Sequence, residues 1–337
     1  MGNLFTNGDG APGLVDLATD WYIPSKDLTK GFAYPGPVNF HENDDMYNVA
    51  QEMLDECKKK TATGKIEFSL TNNGRRFRVH KIPSIEGDVF AVRRIPSIVP
   101  EMKELGLPPA IVKILLHDEL KKGGLILISG ETGQGKSTTT GATIKARLDK
   151  FTSFCLTIED PVELPLHGDH KNGKCIQTEI DSGGFAEALK GAVRSYPALG
   201  NCILYVGESR DPETAYEALV ASSNGHLVFT TLHAYDVESS INRFISLASS
   251  YKNTTEDTVR GLFASSFRLI LNQELRPSSQ RKQGYRLKTR SLFSASGKGS
   301  IAENIKNNRI ASLSTDIEQQ KTLIQNENIK ALFDTWK

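Results

Sequence analysis

The residues with the clearest chemistry form a glycine-rich segment, Gly130-Glu131-Thr132-Gly133-Gln134-Gly135-Lys136-Ser137, which matches the pattern G-x-x-x-x-G-K-[ST]. Glycines let successive backbone N–H groups turn inward onto phosphate oxygens. The apolar run at 125–128 predicts a strand before the loop, and 137–148 predicts a helix after it. We expect Lys136 to reach the β- and γ-phosphates and the Ser137 hydroxyl to ligate Mg²⁺. The alternative is a glycine-rich turn without a ligand. The residues predicted to bind ATP are Gly130, Glu131, Thr132, Gly133, Gln134, Gly135, Lys136, Ser137 and Thr138.

Two further segments place carboxylates just after predicted apolar strands. Residues 157–163 contain three acids within five residues, the last of them Glu163. This segment reads either as a polar loop with a turn proline, or as the carboxylate that activates the attacking water or holds Mg²⁺. Residues 203–211 form an apolar strand followed by Glu208, the form of a Walker B element. Since Mg²⁺ prefers oxygen ligands and keeps several waters, we predict Glu208 as a metal-associated catalytic carboxylate.

Two histidines flank another predicted buried strand, in the segment 225–233. His233 falls just past the carboxyl end of this strand, where ligands bind in open α/β sheets. We predict His233 as a sensor of the γ-phosphate, against the alternative of a core histidine. His226, at the other end, stays ambiguous.

The elements that must position these residues alternate along the chain. Predicted strands lie at 125–129, 154–158, 202–206 and 226–231, and predicted helices at 137–148, 184–195, 212–222 and about 238–248. Alternation of this kind predicts an α/β core with a parallel sheet covered on both faces. The expected domain limits are a poorly structured lead-in at 1–40, a small α+β domain at 41–97, a linker at 98–122, the core at 123–253 and a mainly helical region at 254–337.

Size and composition narrow the function. The chain has 337 residues, a formal net charge of +1 and four cysteines without a C-x-x-C pair. The near-neutral balance argues against a nucleic-acid binder, and the cysteine spacing indicates neither a disulfide framework nor a zinc module. No apolar run approaches the roughly 20 residues of a transmembrane helix, and no signal-peptide pattern opens the chain. We therefore expect a cytoplasmic protein with reduced thiols.

Taken together, the four segments resemble the secretion ATPases of the type II/type IV pilus superfamily, which carry a Walker A loop, an Asp box, a Walker B element and a His box in this order. The resemblance spans residues 76–317 and is greatest to the PilT-like branch. It implies a RecA-like P-loop core preceded by a PAS-like domain. The absence of a tetracysteine zinc module favours the retraction or DotB-like transfer branch over assembly ATPases.

The resemblance also implies an assembly and further site residues. Members are homo-hexameric rings that bind ATP and Mg²⁺ and work at an inner-membrane platform of a pilus or secretion system. Arginines of the N-terminal domain close over the nucleotide, and Arg78 and Arg93 occupy the matching positions. By the same comparison Glu163 is the general base and Glu208 the Walker B acid.

Several alternatives stay open. A DotB-like ATPase that energises a transfer channel fits the same motifs, whereas a RecA-like nucleic-acid motor or a non-hydrolysing nucleotide switch fits less well. The approach to the Walker B strand, residues 194–201, is longer than in the family. At 300–307 only Ile301, Ile305 and the basic Lys306 match the family's C-terminal retraction motif, so the sequence departs there from the retraction ATPases.

Overall fold

The chain divides into two compact units. The computed structural model describes residues 13–180, 184–197, 201–279, 285–294, 299–328 and 330–331. The first unit comprises the described residues up to Ser97 together with Asp160–Glu163. The second comprises Ile98–Glu159 and the described residues from Leu164 onward.

The first unit is an antiparallel sheet with one long helix. Its helices are α1 (Leu14–Leu17) and α2 (Asp45–Thr61), and its strands are β1 (Asp20–Pro24), β2 (Phe32–Tyr34), β3 (Val38–Asn39), β4 (Glu67–Asn72), β5 (Arg75–Ser84) and β6 (Gly87–Arg94). The strand order is β3-β2-β1-β6-β5-β4. The side chain of Asp44 caps α2 by accepting from the Tyr47 N–H, and Met46, Met53 and Cys57 lie on its buried face. Asn73 and Gly74 adopt the positive φ angles that the predicted tight turn between β4 and β5 requires.

The expected poorly structured lead-in is wrong for residues 13–40. Strand β1 lies inside the sheet, paired with both β2 and β6. Trp21 and Ile23 alternate with half-buried neighbours and are themselves buried. Five residues between Gly- and Pro-rich stretches carry too little periodicity to be recognised alone, and pairing with the distant β6 makes this strand. The lead-in before residue 13 lies outside the described residues.

The second unit surrounds an eight-stranded sheet. Its helices are α3 (Pro109–Leu115), α4 (Lys136–Lys150), α5 (Phe185–Arg194), α6 (Pro212–Ser223), α7 (Val237–Ser249), α8 (Glu256–Ser266), α9 (Ser300–Lys306) and α10 (Leu313–Gln325). Its strands are β7 (Gly124–Ser129), β8 (Ser153–Glu159), β9 (Gly168–Asp169), β10 (Lys174–Glu179), β11 (Asn201–Val206), β12 (Leu227–Leu232), β13 (Phe267–Pro277) and β14 (Tyr285–Phe293). The four predicted core strands and the helices that follow them are confirmed.

Both faces of this sheet are covered, as the apolar strands require. Leu125 and Leu127 of β7 pack into one apolar cluster with α6, α7 and α8, while Ile126 and Ile128 pack into another with α3 and α4. A strand buried on both faces needs a continuous apolar run, which explains why β7 and β12 are recognisable from sequence.

The sheet is mixed, which corrects the expectation of a parallel one. Its order is β14-β13-β7-β12-β11-β8-β10-β9, and the six inner strands are parallel. The outer strands β14 and β9 pair antiparallel with their neighbours. A short connection joins β9 to β10 and another joins β13 to β14, a geometry that only antiparallel pairing permits.

The described residues after 253 are mainly helical, as predicted, but two strands of the core sheet lie among these helices, so the sheet extends beyond the expected limit of the core at residue 253. Strand β13 lies beside β7, and the polar stretch after it returns as β14. Phe267–Leu271 follows α8 without a break, so the apolar spacing continues a helical pattern while the chain is already a strand. Within the described ranges, no helix has both the length and the apolarity needed to cross a bilayer.

Candidate nucleotide-binding site

The glycine-rich loop joins β7 to α4 in the predicted manner. Gly130, Gly133 and Gly135 have φ angles of +152°, +77° and +76°, which L-residues rarely adopt. Gly135 is the residue before α4 and offers no capping side chain. The first N–H groups of the helix, which have no partner within it, therefore point toward the loop. Glu131, Thr132 and Gly133 are exposed, whereas Gln134, Ser137 and Thr138 are half-buried.

Lys136 is turned into the loop. Its side chain is buried, and its Nζ donates to the carbonyls of Gly130 at 3.0 Å and Glu131 at 2.8 Å. A third contact, 3.3 Å long, joins Nζ to Nδ1 of His233. The ammonium of Lys136 is thereby held at the loop, at the place where phosphates are expected.

His233 connects Lys136 to Glu208. Nε2 of His233 lies 3.1 Å from Oε1 of Glu208, and Nε of Arg210 donates to the other carboxylate oxygen at 2.7 Å. An ammonium can only donate, so Nδ1 of His233 accepts and its proton is on Nε2, facing Glu208. Contacts between side chains therefore run without a break from Lys136 through His233 to Glu208, with Arg210 on the far side of Glu208.

The imidazole of His233 is held in its neutral form. Burial lowers its pKa below the usual 6.5, and the Lys136 ammonium lowers it further, while the Glu208 carboxylate acts in the opposite direction. A neutral ring is the form that can accept from Lys136 and donate to Glu208 together. The pKa of His233 therefore changes whenever the positive charge of Lys136 is moved or removed.

The carboxyl ends of parallel strands explain this convergence. Lys136 follows β7, Glu208 follows β11, and His233 follows β12, which lies between them in the sheet. The sequence prediction that these three residues belong together agrees with this geometry.

The predicted Asp box is divided between the two units. Glu159, the last residue of β8, is buried and accepts from Nε2 of Gln177 at 2.9 Å. Glu163 belongs to the first unit, where its Oε1 accepts from Nη1 of Arg78 at 3.3 Å. The general-base role of Glu163 stays a prediction.

The two predicted arginines are direct neighbours on β5 and β6. Arg78 and Arg93 are register partners, so both side chains lie on the same face of the sheet. Arg78 also bonds Glu67 at 3.4 Å, and Nε of Arg93 donates to Asp20 at 2.5 Å. Paired cations on one sheet face repel each other, and nearby acids offset this repulsion.

Sequence analysis missed functional contacts of two kinds. Arg210 stands inside the quoted Walker B segment, and its distance of two residues from Glu208 was the available signal. Asn272 and Gln273 of β13 contact the loop region but belong to no motif. Only the pairing of β13 with β7 brings them there.

Comparison with known proteins finds similarity over most of the chain. The family model described as type II/IV secretion system protein matches residues 49–334. The chain is 32% identical over 244 residues to the protein YggR of Escherichia coli, with 70% of each chain covered. It is 33% identical over 241 residues to the type IV pilus retraction ATPase PilT of Pseudomonas aeruginosa, covering 69% of this chain and 66% of that protein.

Solved structures show the same fold. The pilus retraction motor PilT with bound ADP superposes with a TM-score of 0.72 at 28% identity, covering 90% of this chain and 87% of that one. The ATPase DotB of Legionella pneumophila shares the fold with a TM-score of 0.68, covering 92% and 84% of the two chains. The loop chemistry and these similarities define a nucleotide-using α/β protein. The chain belongs to the type II/IV secretion system protein family, as a PilT-like secretion ATPase.

Proposed function

We propose that this protein hydrolyses ATP to drive a type IV pilus or a related secretion system. Of these tasks, pilus retraction is the function that we propose first. One observation supports this most directly: the continuous contact from Lys136 through His233 to Glu208 beside a glycine-rich loop. The relatives named for retraction and the solved ADP complex of PilT support the nucleotide and the task.

Lys136 acts first in this proposal. Its ammonium exchanges the carbonyls of Gly130 and Glu131 for phosphate oxygens, because a phosphate offers a full negative charge where a carbonyl offers a dipole. His233 then loses the donor on Nδ1. The ring can then take up a proton on Nδ1, which strengthens its hydrogen bond to Glu208, or rotate, which releases Glu208 from that bond.

The oxygen donors suit a magnesium ion. Ser137 in the first turn of α4 and the carboxylate of Glu208 are ligands of the type that Mg²⁺ prefers. Bound there, Mg²⁺ would neutralise charge that develops on the phosphates. Glu208 then orients groups near the γ-phosphate, and Glu163 is the candidate that accepts a proton from the attacking water.

We further propose a RecA-like core in the second unit and a PAS-like domain in the first, assembled into a homo-hexamer. In such a ring Arg78 and Arg93 supply positive charge to a nucleotide. The same-face arrangement on β5 and β6 supports this role, because guanidinium groups bind phosphate bidentately and stay charged. The partner is an inner-membrane platform protein, which makes the motor cytoplasmic and peripheral, with no direct binding of nucleic acid.

Two substitutions test the assignment of the site. Lys136→Ala is expected to weaken ATP binding strongly, because the phosphate charge is left uncompensated. Glu208→Gln is expected to keep ATP binding and to lose turnover by at least about 100-fold, the scale of a catalytic electrostatic contact. Binding of a fluorescent ATP analogue and phosphate release measure the two effects separately. Equal loss of binding in both variants would contradict the role of Glu208.

A further inference from the structure

Strand β13 continues past the end of β7 and runs along the glycine-rich loop. Asn272 is the register partner of Ser129, the last residue of β7, so Gln273 lies beside Gly130. The contact is tight: a Cβ on Gly130 would come within 2.5 Å of the carbonyl oxygen of Gln273. The backbone of β13 therefore forms one wall of the loop.

Gln273 and Gln134 are joined by hydrogen bonds across this contact. Nε2 of Gln273 donates to the backbone carbonyl of Gln134 at 2.6 Å. The Leu275 N–H donates to Oε1 of Gln134 at 2.5 Å. Both the backbone and the side chain of Gln134 are thus held by the same strand.

Holding this carbonyl fixes the direction of a neighbouring donor. The carbonyl of Gln134 and the N–H of Gly135 belong to one planar trans peptide, in which the two groups point in opposite directions. With the carbonyl held against β13, the Gly135 N–H points away from β13, and we expect it to face the interior of the loop. This is the orientation that a phosphate-binding loop needs.

The amide of Gln273 is poorly explained by packing. The residue is only 2% exposed, and within the described part of the chain its Oε1 has no hydrogen-bond partner. A buried acceptor without a partner destabilises a fold, so an apolar side chain of the same length would pack better. The hydrogen bond to the Gln134 carbonyl is a contact of this amide that an apolar side chain could not make.

Asn272, the residue before Gln273, forms hydrogen bonds that reach the loop after β12. Nδ2 of Asn272 donates to Oγ of Ser129 and to the carbonyl of Ala234, each at 3.2 Å. Ala234 directly follows His233. Adjacent residues of β13 therefore contact both the loop that holds Lys136 and the segment that holds His233.

We propose that Gln273 is a positioning residue for ATP binding, which holds the Gln134–Gly135 peptide so that its N–H faces the phosphates. The inference rests on the proposed ATP site at residues 130–138. Gln273 acts through Gln134 and does not itself contact the nucleotide.

Gln273→Met tests this role, with Gln320→Met as the matched control. Gln320 is also a buried glutamine of the second unit, but it bonds the N–H and the carbonyl of Phe293, each at 3.0 Å, and neither bond involves the loop. Gln273→Met is expected to raise the KM for ATP about fivefold to tenfold, the scale of one hydrogen bond, with little change in kcat. Its urea midpoint should equal or exceed that of the wild type. Gln320→Met should lower the urea midpoint and leave KM unchanged.

A second variant adds a titratable readout. In Gln273→Glu the new side chain presents a carboxylate to the Gln134 carbonyl above its pKa and a donating O–H below it. The ATP affinity of this variant, relative to the wild type at the same pH, should recover as the pH falls. No recovery, or a KM of Gln273→Met equal to the wild-type value, would overturn the proposal. So would a Gln273→Met protein that is less stable than Gln320→Met. A wild-type protein that binds no ATP would instead contradict the proposed function, and this inference with it.

Discussion

His233 stands between a cation and an anion, and its protonation state depends on both. Nδ1 faces the ammonium of Lys136 and Nε2 faces the carboxylate of Glu208. The pKa of His233 is lowered by burial and by Lys136, and raised by Glu208. Movement of Lys136 toward a phosphate would therefore raise the pKa of His233 and favour the imidazolium. This gives the residue a physical means of sensing the γ-phosphate.

The first prediction concerns this titration in the protein without nucleotide. Lys136→Ala should raise the pKa of His233, because a nearby positive charge is removed. Glu208→Gln should lower it, because an attractive negative charge is removed. NMR titration of the imidazole resonances measures both shifts, with the His233→Gln spectrum assigning the signal. The signal of His226, whose pKa is lowered by burial alone, should stay in place. Shifts of the same sign in the two variants would contradict the relay.

The lowered pKa of His233 makes the stability of the protein depend on pH. Because the folded-state pKa of His233 lies below 6.5, the unfolded chain takes up a proton first as the pH falls. The contribution of this histidine to stability is therefore complete above about pH 6.5 and decreases as the pH falls toward the folded-state pKa. Its side chain is 35% exposed, so solvent screening keeps this contribution small.

At the scale of single elements, the sequence predicted what local patterns determine. The sequence shows the glycine spacing from Gly130 to Ser137 and the apolar runs of β7 and β12 clearly. Phosphate-binding loops and buried parallel strands accept few residue types, so their patterns can be recognised from sequence. Strands β1, β13 and β14 were not predicted, because their pairing with distant strands outweighs their weak local pattern. Gln273 was not predicted for the same reason, because only the pairing of β13 with β7 brings it to the site.

The second prediction tests whether β1 is an integral part of the first unit. Trp21 is 1% exposed, and its ring lies 5.7 Å from that of Phe40. Trp21→Ala should lower the free energy of unfolding of this unit by about 3–5 kcal/mol, the usual loss for a buried aromatic side chain. Urea unfolding by circular dichroism measures the loss, and amide hydrogen exchange in β6 assigns it to this unit. Tyr34→Ala is the control, because Tyr34 is 42% exposed and its loss should lower the free energy of unfolding far less. Equal stability of the two variants would place Trp21 outside the core.

At the scale of the whole molecule, the proposed hexamer gives a reason for the position of the paired arginines. Arg78 and Arg93 belong to the first unit, whereas Lys136, Glu208 and His233 belong to the second. If a ring joins the first unit of one subunit to the nucleotide of another, the two groups of residues can be inactivated in different chains. Function can then be restored by mixing, which a self-sufficient monomer would not show.

The third prediction is therefore a complementation between two inactive proteins. Arg93→Ala keeps Lys136 and Glu208, and Glu208→Gln keeps Arg93. If Arg93 acts on a neighbouring subunit of a closed ring, an equal mixture should recover about a quarter of the wild-type rate, since a quarter of the interfaces then combine two intact partners.

The control is a mixture of Glu208→Gln with Lys136→Ala, which are both defective in the second unit and should stay inactive together. Mass in solution, read across the same concentration series, must show a six-fold assembly wherever activity appears. Activity of a monomer, or no recovery at any mixing ratio, would contradict a shared site, because every residue required for turnover would then act within one chain.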